Sequence, residues 1–384
     1  MLFTRRQIAK FIAGTPVLLK STPIYANESW TRIVVLVELN GGNDGLNTVI
    51  PYTDPAYPRL RPKLAVSRDK VLQLSEHLGL HPQLEKLMPL WESREMAIVL
   101  GVGYPEPNLS HFRSIDIWET ATQGHRLARE GWISRLFSER RPPTMLPAEG
   151  VVLGRNEPGP LMGDGSRIVN LKRLESLKKQ RQQLVNSNII AANSDLVHVI
   201  KTQDRLNYAA RKLVEKNLDK VILKNEFPGH NFGRQMELAA RLVIGGSGIP
   251  VIKCSLGGFD THAGQVYRHP KLMEKLAGGL SAFVEAIKSA GAWNKVLVMT
   301  YAEFGRRPKE NASGGTDHGT AAPHFLLGGS VRGGFYGGQP PLSQLHNGNL
   351  AYRVDFREIY AAVARDWWGL RAEFIKSKPM PVIM

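Results

Sequence analysis

The feature that most constrains this chain is a β-branched run, Thr31 to Asn40 (TRIVVLVELN), that stops abruptly in Gly41-Gly42-Asn43-Asp44-Gly45. Such a run reads as a buried strand, and the glycines and Asn-Asp pair after it as a tight loop. The same device recurs. Met96 to Gly103 is a second buried strand, 250–256 a third ending in Gly257-Gly258-Phe259-Asp260-Thr261-His262, and 295–301 a fourth ending in Ala302-Glu303-Phe304-Gly305-Arg306. A strand at 323–327 (PHFLL) follows the Gly-rich loop 311–319. Between the strands, helical periodicity covers His81 to Glu95, a helix opened by Leu109-Ser110-His111-Phe112 and running to about Thr122, and the stretches 126–139, 231–244, 270–289 and 356–368. Strands alternating with helices imply an α/β fold: a three-layer α/β/α arrangement around a mostly parallel central sheet.

The length of 384 residues suits one large α/β domain or two ordinary ones, with enough chain to bury a substantial core. Residues 171–225 depart from the strand-helix rhythm. They are long, charged and helical, as in LKRLESLKKQRQQL and NYAARKLVEKNLDK, and are expected to form a helical insertion with solvated faces. The single cysteine, Cys254, excludes a disulfide framework and a Cys-rich metal site, so any metal has to rely on His and carboxylate ligands.

The first residues form their own pattern. Arg5-Arg6 precedes a modest apolar stretch, Phe11 to Leu19, with Lys20 behind it and Ala26 as a cut site. This resembles a twin-arginine export signal over residues 1–26; the alternative is a basic amphipathic first helix. Removing those residues takes away Arg5, Arg6, Lys10 and Lys20 and no acids, which lowers the formal charge from +16 to +12. The remaining positive charge suits an anionic small-molecule or polymer substrate, and the helices show no aromatic interleaving that would favour nucleic acid. No run of about 18 apolar residues is present, so no transmembrane span is expected. The signal implies the twin-arginine translocation machinery as a partner and a periplasmic or secreted location.

In open α/β sheets, ligand sites gather in the loops beyond the carboxyl ends of the strands. Asp44, Ser110, Asp260 with His262, and Glu303 all fall at such places, and a further loop supplies Asp317-His318-Gly319. Each has an ordinary explanation alone: Asp44 as a turn former, Ser110 as an N-cap. Their recurrence at one end of one sheet makes Asp44, Asp260, His262, Glu303 and His318 a candidate ligand set for one or two divalent ions, with Zn or Mn suited to mixed carboxylate and imidazole donors.

The blocks LVELNGGNDGLNTVIPY, PNLSHFRSIDIWET, GGFDTHAGQ and VLVMTYAEFGR…GGTDHGTAAPHFLLGG resemble the bacterial domain-of-unknown-function family numbered 1501, which is placed in the alkaline phosphatase and sulfatase superfamily. The resemblance covers nearly all of the chain after residue 30 and implies an alkaline-phosphatase-like domain over 30–384. It implies that Asp44 is the acid after the first strand, that Ser110 stands at the nucleophile position, and that Asp260 and His262 are the acid–histidine pair of one metal. Two registers fit the remaining ligands. Either Asp317-His318-Gly319 is the superfamily's DHG motif, or the strand KVLVMTY delivers Glu303 to that position and His318 is the final histidine. The second is preferred, because residues 306–316 are too polar to be the buried strand that DHG directly follows. Phe304 then stands where phosphatases hold a histidine, which depletes one metal site. Arg306 is a candidate anion binder, and His111 either orients the nucleophile, assists as a base or simply packs. A formylglycine sulfatase is disfavoured, since Cys254 lacks the CxPxR context.

The expected activity is metal-dependent hydrolysis or transfer of a phosphate or sulfate ester, with Ser110 attacking. The rival expectation is a non-catalytic exported protein of the same fold that binds an acidic envelope polymer or a protein partner.

Overall fold

The computed structural model describes residues 29–174 and 208–384. The expected export signal and most of the 171–225 insertion lie outside the described residues. Within the insertion's last part, residues 208–215 are helical, with Ala209, Ala210 and Leu213 buried against the main core.

Nine strands form the central sheet: β1 (Ile33–Asn40), β2 (Met96–Gly103), β3 (Gly150–Val152), β4 (Ile168–Asn170), β5 (Val251–Gly257), β6 (Val296–Tyr301), β7 (Ala322–Leu327), β8 (Gly334–Gly337) and β9 (Val354–Asp355). Their order is β8-β2-β7-β6-β1-β5-β3-β4, with β9 beside β2. β1 lies at the centre, parallel to β5 (Val37 opposite Cys254) and to β6 (Val37 opposite Thr300). Only β7 runs against its neighbours, pairing antiparallel with both β6 and β2. A small separate sheet joins Val49–Ile50, Gly79–Leu80 and Leu72–Gln73.

The helices that matter below are α1 (His111–Thr120), α2 (Trp132–Glu139), α3 (Asn231–Ile244), α4 (Gln265–Ser289) and α5 (Phe356–Ala362). Strand alternation divides β1 between two cores, because successive side chains leave opposite faces of a sheet. Ile33, Val35, Val37 and Leu39 pack with Met236 of α3 and Leu276 of α4. Val34 and Leu36 face the other way, in the core that holds Ile117 of α1, Ile133 of α2 and Ile359 of α5. The chain is thus a three-layer α/β/α domain with a mostly parallel sheet, as its strand-helix rhythm implies. Among the described residues, no helix is long and apolar enough to cross a membrane.

The reversed β7 has a direct effect on the site. Loops after β1, β2, β5 and β6 emerge at the sheet's carboxyl edge. An antiparallel strand brings the loop before it to that same edge, so residues 311–321 arrive beside the other four.

Candidate metal centre

The loop after β1 is built around two glycines that no other residue replaces without distortion. Gly41 has φ +115° and a Cβ there would lie 2.3 Å from the Asp260 nitrogen; Gly42 has φ +76° and a Cβ would lie 2.5 Å from the Phe304 ring. Positive φ at both positions favours glycine. The close approach seats the β1 loop directly against the loops that follow β5 and β6.

Arg306 locks these loops together. It is fully buried, and its guanidinium donates to the carbonyls of Gly41, Gly42 (2.8 Å), Phe259 (3.2 Å) and Thr316 (2.9 Å), and to Asp260 Oδ1 at 2.6 Å. The expectation that Arg306 binds a substrate anion therefore needs correction: its donors are taken up inside the protein. Burial works against ionising Asp260, but the Arg306 hydrogen bond and charge outweigh it and hold the carboxyl down at about 2. Asp260 is thus a permanent carboxylate, and its side chain is 46% exposed, open to an incoming ligand.

Three histidines surround it. His318 Nε2 lies 3.2 Å and His262 Nε2 3.0 Å from Asp260 Oδ1, and His111 Nε2 lies 3.6 Å from Oδ2. Each ring is held from behind through Nδ1. His318 Nδ1 meets the Leu109 carbonyl at 2.8 Å, His262 Nδ1 meets Asp317 at 3.2 Å, and His111 Nδ1 meets Glu303 Oε1 at 2.8 Å. All three partners are acceptors and can take a hydrogen from Nδ1, the tautomer that would leave each Nε2 free to ligate. Carboxylate or carbonyl support behind a histidine is the usual way a ligating imidazole is oriented. The Glu303 hydrogen bond raises the His111 pKa, whereas burial lowers that of His318. Ligand atoms of His111, Asp260 and His318 all lie within 4.8 Å of one another, and His262 adjoins them with its Nε2 2.9 Å from that of His318. Imidazole nitrogens and a carboxylate oxygen brought together from separate loops at these distances are a donor set that fits a divalent cation.

Not every expected ligand joins this group. Asp44 stands apart, fully buried, with Arg61 Nη1 and Nη2 at 2.6 and 2.8 Å and the Gln265 amide on the same carboxylate. Burial opposes its charge and Arg61 outweighs burial, which lowers its pKa. With both oxygens committed, Asp44 is an ion-pair partner rather than a member of the cluster. Glu303 likewise acts one step back: Oε1 accepts from Gly41 N (2.9 Å) and His111, while buried Oε2 has no hydrogen-bond partner. His111 is instead the residue that enters the cluster. Phe304 is buried between rings, 4.9 Å from His111 and 4.5 Å from His318, forming an apolar wall.

Ser110 occupies the N-cap position of α1 with extended backbone, is exposed, and makes no capping bond with its side chain. Ser114, one turn on, donates to the Glu303 carbonyl and ties α1 to the loop after β6. The ten-residue α1 thus points its N-terminus, where free N–H groups favour anions, along the edge that carries the cluster.

Beside His111 and Glu303 is a cavity of about 110 Å³ floored by Lys253, Glu38 and Glu119. Lys253 lies 3.3 Å from Glu38 and 3.1 Å from Glu119, almost wholly buried. This trio and Arg61 are not among the site residues expected from the sequence. The trio left a signal: Glu38 in IVVLVELN and Lys253 in VIKCSLG are charges inside otherwise apolar strands. Arg61 left none, since PRLRPK reads as ordinary surface.

A family model described as "Protein of unknown function (DUF1501)" matches residues 31–366. No curated protein matches the sequence. Among solved structures, the chain is similar to Ps i-CgsB (10% identity, TM-score 0.45, covering 91% of this chain and 75% of that one). It is also similar to the PsFucS1 sulfatase from Pseudoalteromonas sp. (11%, 0.40, 89% and 68%) and to the phosphonate monoester hydrolase SpPMH from Silicibacter pomeroyi (12%, 0.39, 91% and 76%).

Proposed function

The chain belongs to the DUF1501 family, and from that premise we propose that it is an exported metal-dependent hydrolase or transferase of the alkaline phosphatase and sulfatase type, acting on a phosphate or sulfate ester. One observation carries the reading: three imidazoles, each with Nδ1 hydrogen-bonded outward, present Nε2 to one ionised carboxylate at the carboxyl edge of the sheet. His111, Asp260 and His318 hold the ion in this reading, with His262 as the next donor; nitrogen-rich donors suit Zn or Mn. When bound there, a divalent ion supplies Lewis-acid polarisation of an ester oxygen.

The chain's own residues supply the rest. Ser110 offers an exposed hydroxyl at the start of α1, where it attacks the phosphorus or sulfur and the alcohol leaves; water then hydrolyses the seryl ester in a hydrolase, or a second alcohol takes the group in a transferase. The N–H groups of the first turn of α1 receive the anionic oxygens. Arg306 and Asp317 keep Asp260 and His262 in place, and Glu303 fixes the His111 tautomer. Arg61 on Asp44 and Phe304 beside His318 both favour a single ion over a pair. They also lend support to the rival reading, a non-catalytic exported protein of the same fold.

Metal analysis of the purified protein, with turnover of aryl phosphates and aryl sulfates by wild type and Ser110→Ala, separates the two. Metal-dependent turnover that disappears in Ser110→Ala with metal content intact is the expected result; metal-free, inactive protein indifferent to both Ser110 and His318 substitutions overturns it. Export is tested by fusing residues 1–30 to a reporter and comparing it with the Arg5→Lys/Arg6→Lys form.

A further inference from the structure

Two of the loops that deliver the metal-centre residues meet on one buried side chain. Gln265, the first residue of α4, is 1% exposed, and its Oε1 accepts from the hydroxyls of Thr261 at 2.9 Å and Thr316 at 2.7 Å. Thr261 stands between Asp260 and His262, and Thr316 directly precedes Asp317, which backs His262, and His318. Both threonines are fully buried. On its other side the Gln265 Nε2 donates to Asp44 Oδ2, the carboxylate that Arg61 holds. That carboxylate decides the orientation of the amide, since a flipped side chain would set Oε1 against an acceptor. Arg61 in turn donates to the Pro308 carbonyl at 2.8 Å and the Arg307 carbonyl at 3.1 Å, so both halves of the β6–β7 connection are tied to this ion pair.

We propose that Gln265 is a positioning residue of the metal centre, whose amide, through Thr261 and Thr316, sets how far His262 stands from His318. Its bearing on an ion rests on the metal-binding reading given above; the hydrogen bonds that carry it do not. One amide oxygen with two lone pairs receives both hydroxyls, so the two loops are measured against a single atom. A bond lost there leaves a buried polar group without a partner, and the loops shift to repair it. They remain packed as they do so. A Cβ on Gly315 would lie 2.2 Å from the Thr261 carbonyl, and Thr316 N donates to that carbonyl at 3.1 Å. What such a shift alters is the placement of one loop along the other, and with it the 2.9 Å between the two Nε2 atoms. Arg306 does not duplicate this grip. It holds Thr316 by its carbonyl and Asp260 by its carboxylate, whereas Gln265 holds the threonines by their hydroxyls. Asp44→Asn keeps an oxygen for the Gln265 amide and leaves the bracket standing, which separates the roles of the two residues.

The test is Co²⁺ titration of the full-length protein, read by calorimetry and by visible absorption, whose bands report the coordination of the ion. Gln265→Met, unbranched like glutamine but without its hydrogen bonds, is expected to weaken Co²⁺ binding about tenfold or more and to change the spectrum. Thr261→Val and Thr316→Val are expected to act in the same direction. They should add little in the Gln265→Met background, because residues that share a partner have non-additive effects. Thr261→Ser and Thr316→Ser, which keep the hydroxyl, are expected to retain wild-type binding. If Gln265→Met does not fold, the valine and serine variants carry the test alone. Wild-type affinity and spectrum in Gln265→Met, or in the valine double variant, overturn the proposal. So does a lowered melting temperature with unaltered Co²⁺ binding, and so do valine effects that persist in full without Gln265. A wild type that takes up no Co²⁺ overturns the metal reading instead. The imidazole NMR signals of His262 and His318 in the metal-free protein then decide: signals shifted by Gln265→Met support the positioning role, and unshifted ones overturn it.

Discussion

The Nε2 atoms of His262 and His318 face each other across 2.9 Å, while the Nδ1 atoms behind them meet Asp317 and the Leu109 carbonyl. Two imidazole nitrogens held that close beside the Asp260 carboxylate are the donors that the proposed cation would use. Calorimetric titration with Zn²⁺ or Mn²⁺ is expected to show stoichiometric uptake by wild type, and loss of it in His318→Ala and Asp260→Asn. Glu303→Gln, which touches only the back of His111, is expected to weaken affinity about 10–100-fold. Unchanged affinity in Glu303→Gln would show that His111 is not a ligand.

Asp44→Asn separates the buried ion pair from the metal centre. Leaving the Arg61 guanidinium buried without its carboxylate is expected to cost about 3–5 kcal/mol, read by urea denaturation. Metal content of the folded fraction should not change. If metal is lost while stability holds, Asp44 is a ligand after all.

A third expectation concerns Gly41. An alanine there must hold φ +115° and place its methyl 2.3 Å from the Asp260 nitrogen. Backbone strain alone costs about 1–3 kcal/mol, and relief of the clash pushes the Asp260 peptide away. Gly41→Ala should therefore lose both stability and metal affinity, whereas Gly45→Ala, whose clash is with the Pro323 ring, should spare Asp260 and keep metal affinity.

Acid sensitivity follows from His324 of β7. Burial pushes its pKa from 6.5 down to about 3, so it stays neutral in the fold. Below pH 6.5 the unfolded chain takes up a proton that the folded chain refuses, and stability falls as pH falls, by about 1.4 kcal/mol per pH unit for this group until about pH 3. Above pH 6.5 it has no effect. His324→Gln should flatten that limb by one proton in denaturation curves taken from pH 7 to pH 4; an unaltered slope would exclude His324 as its source.

Much of this architecture is legible in the residues because it rests on local pattern. Met96–Gly103 and Asn231–Ile244 carry uninterrupted periodicity, and their observed bounds coincide with the apolar runs. The direction of β7 is not legible, since PHFLL reads the same in a parallel or an antiparallel strand, and direction is decided by pairing with β2 and β6. The helix at 126–139 shrinks to Trp132–Glu139, because residues 121–131 turn instead of winding. At the site, residue types at strand ends point to Asp260, His262 and His318. Exchanging Glu303 for His111 as the nearer donor depends on side-chain direction: one glutamate turns back to Gly41 and His111, and nothing in AEFGR records that turn.

The clamp made by Arg306 reaches beyond geometry. One guanidinium joins the loops after β1, β5 and β6 to the loop before β7, so none of the four opens without breaking bonds to the others. The entropy of ordering the site is therefore lost when the sheet edge folds, before any ion is present. On the proposed function, metal uptake is expected to be a matter of encounter and dehydration, with single-phase kinetics proportional to metal concentration, and amide exchange in these loops is expected on the timescale of the strands that carry them.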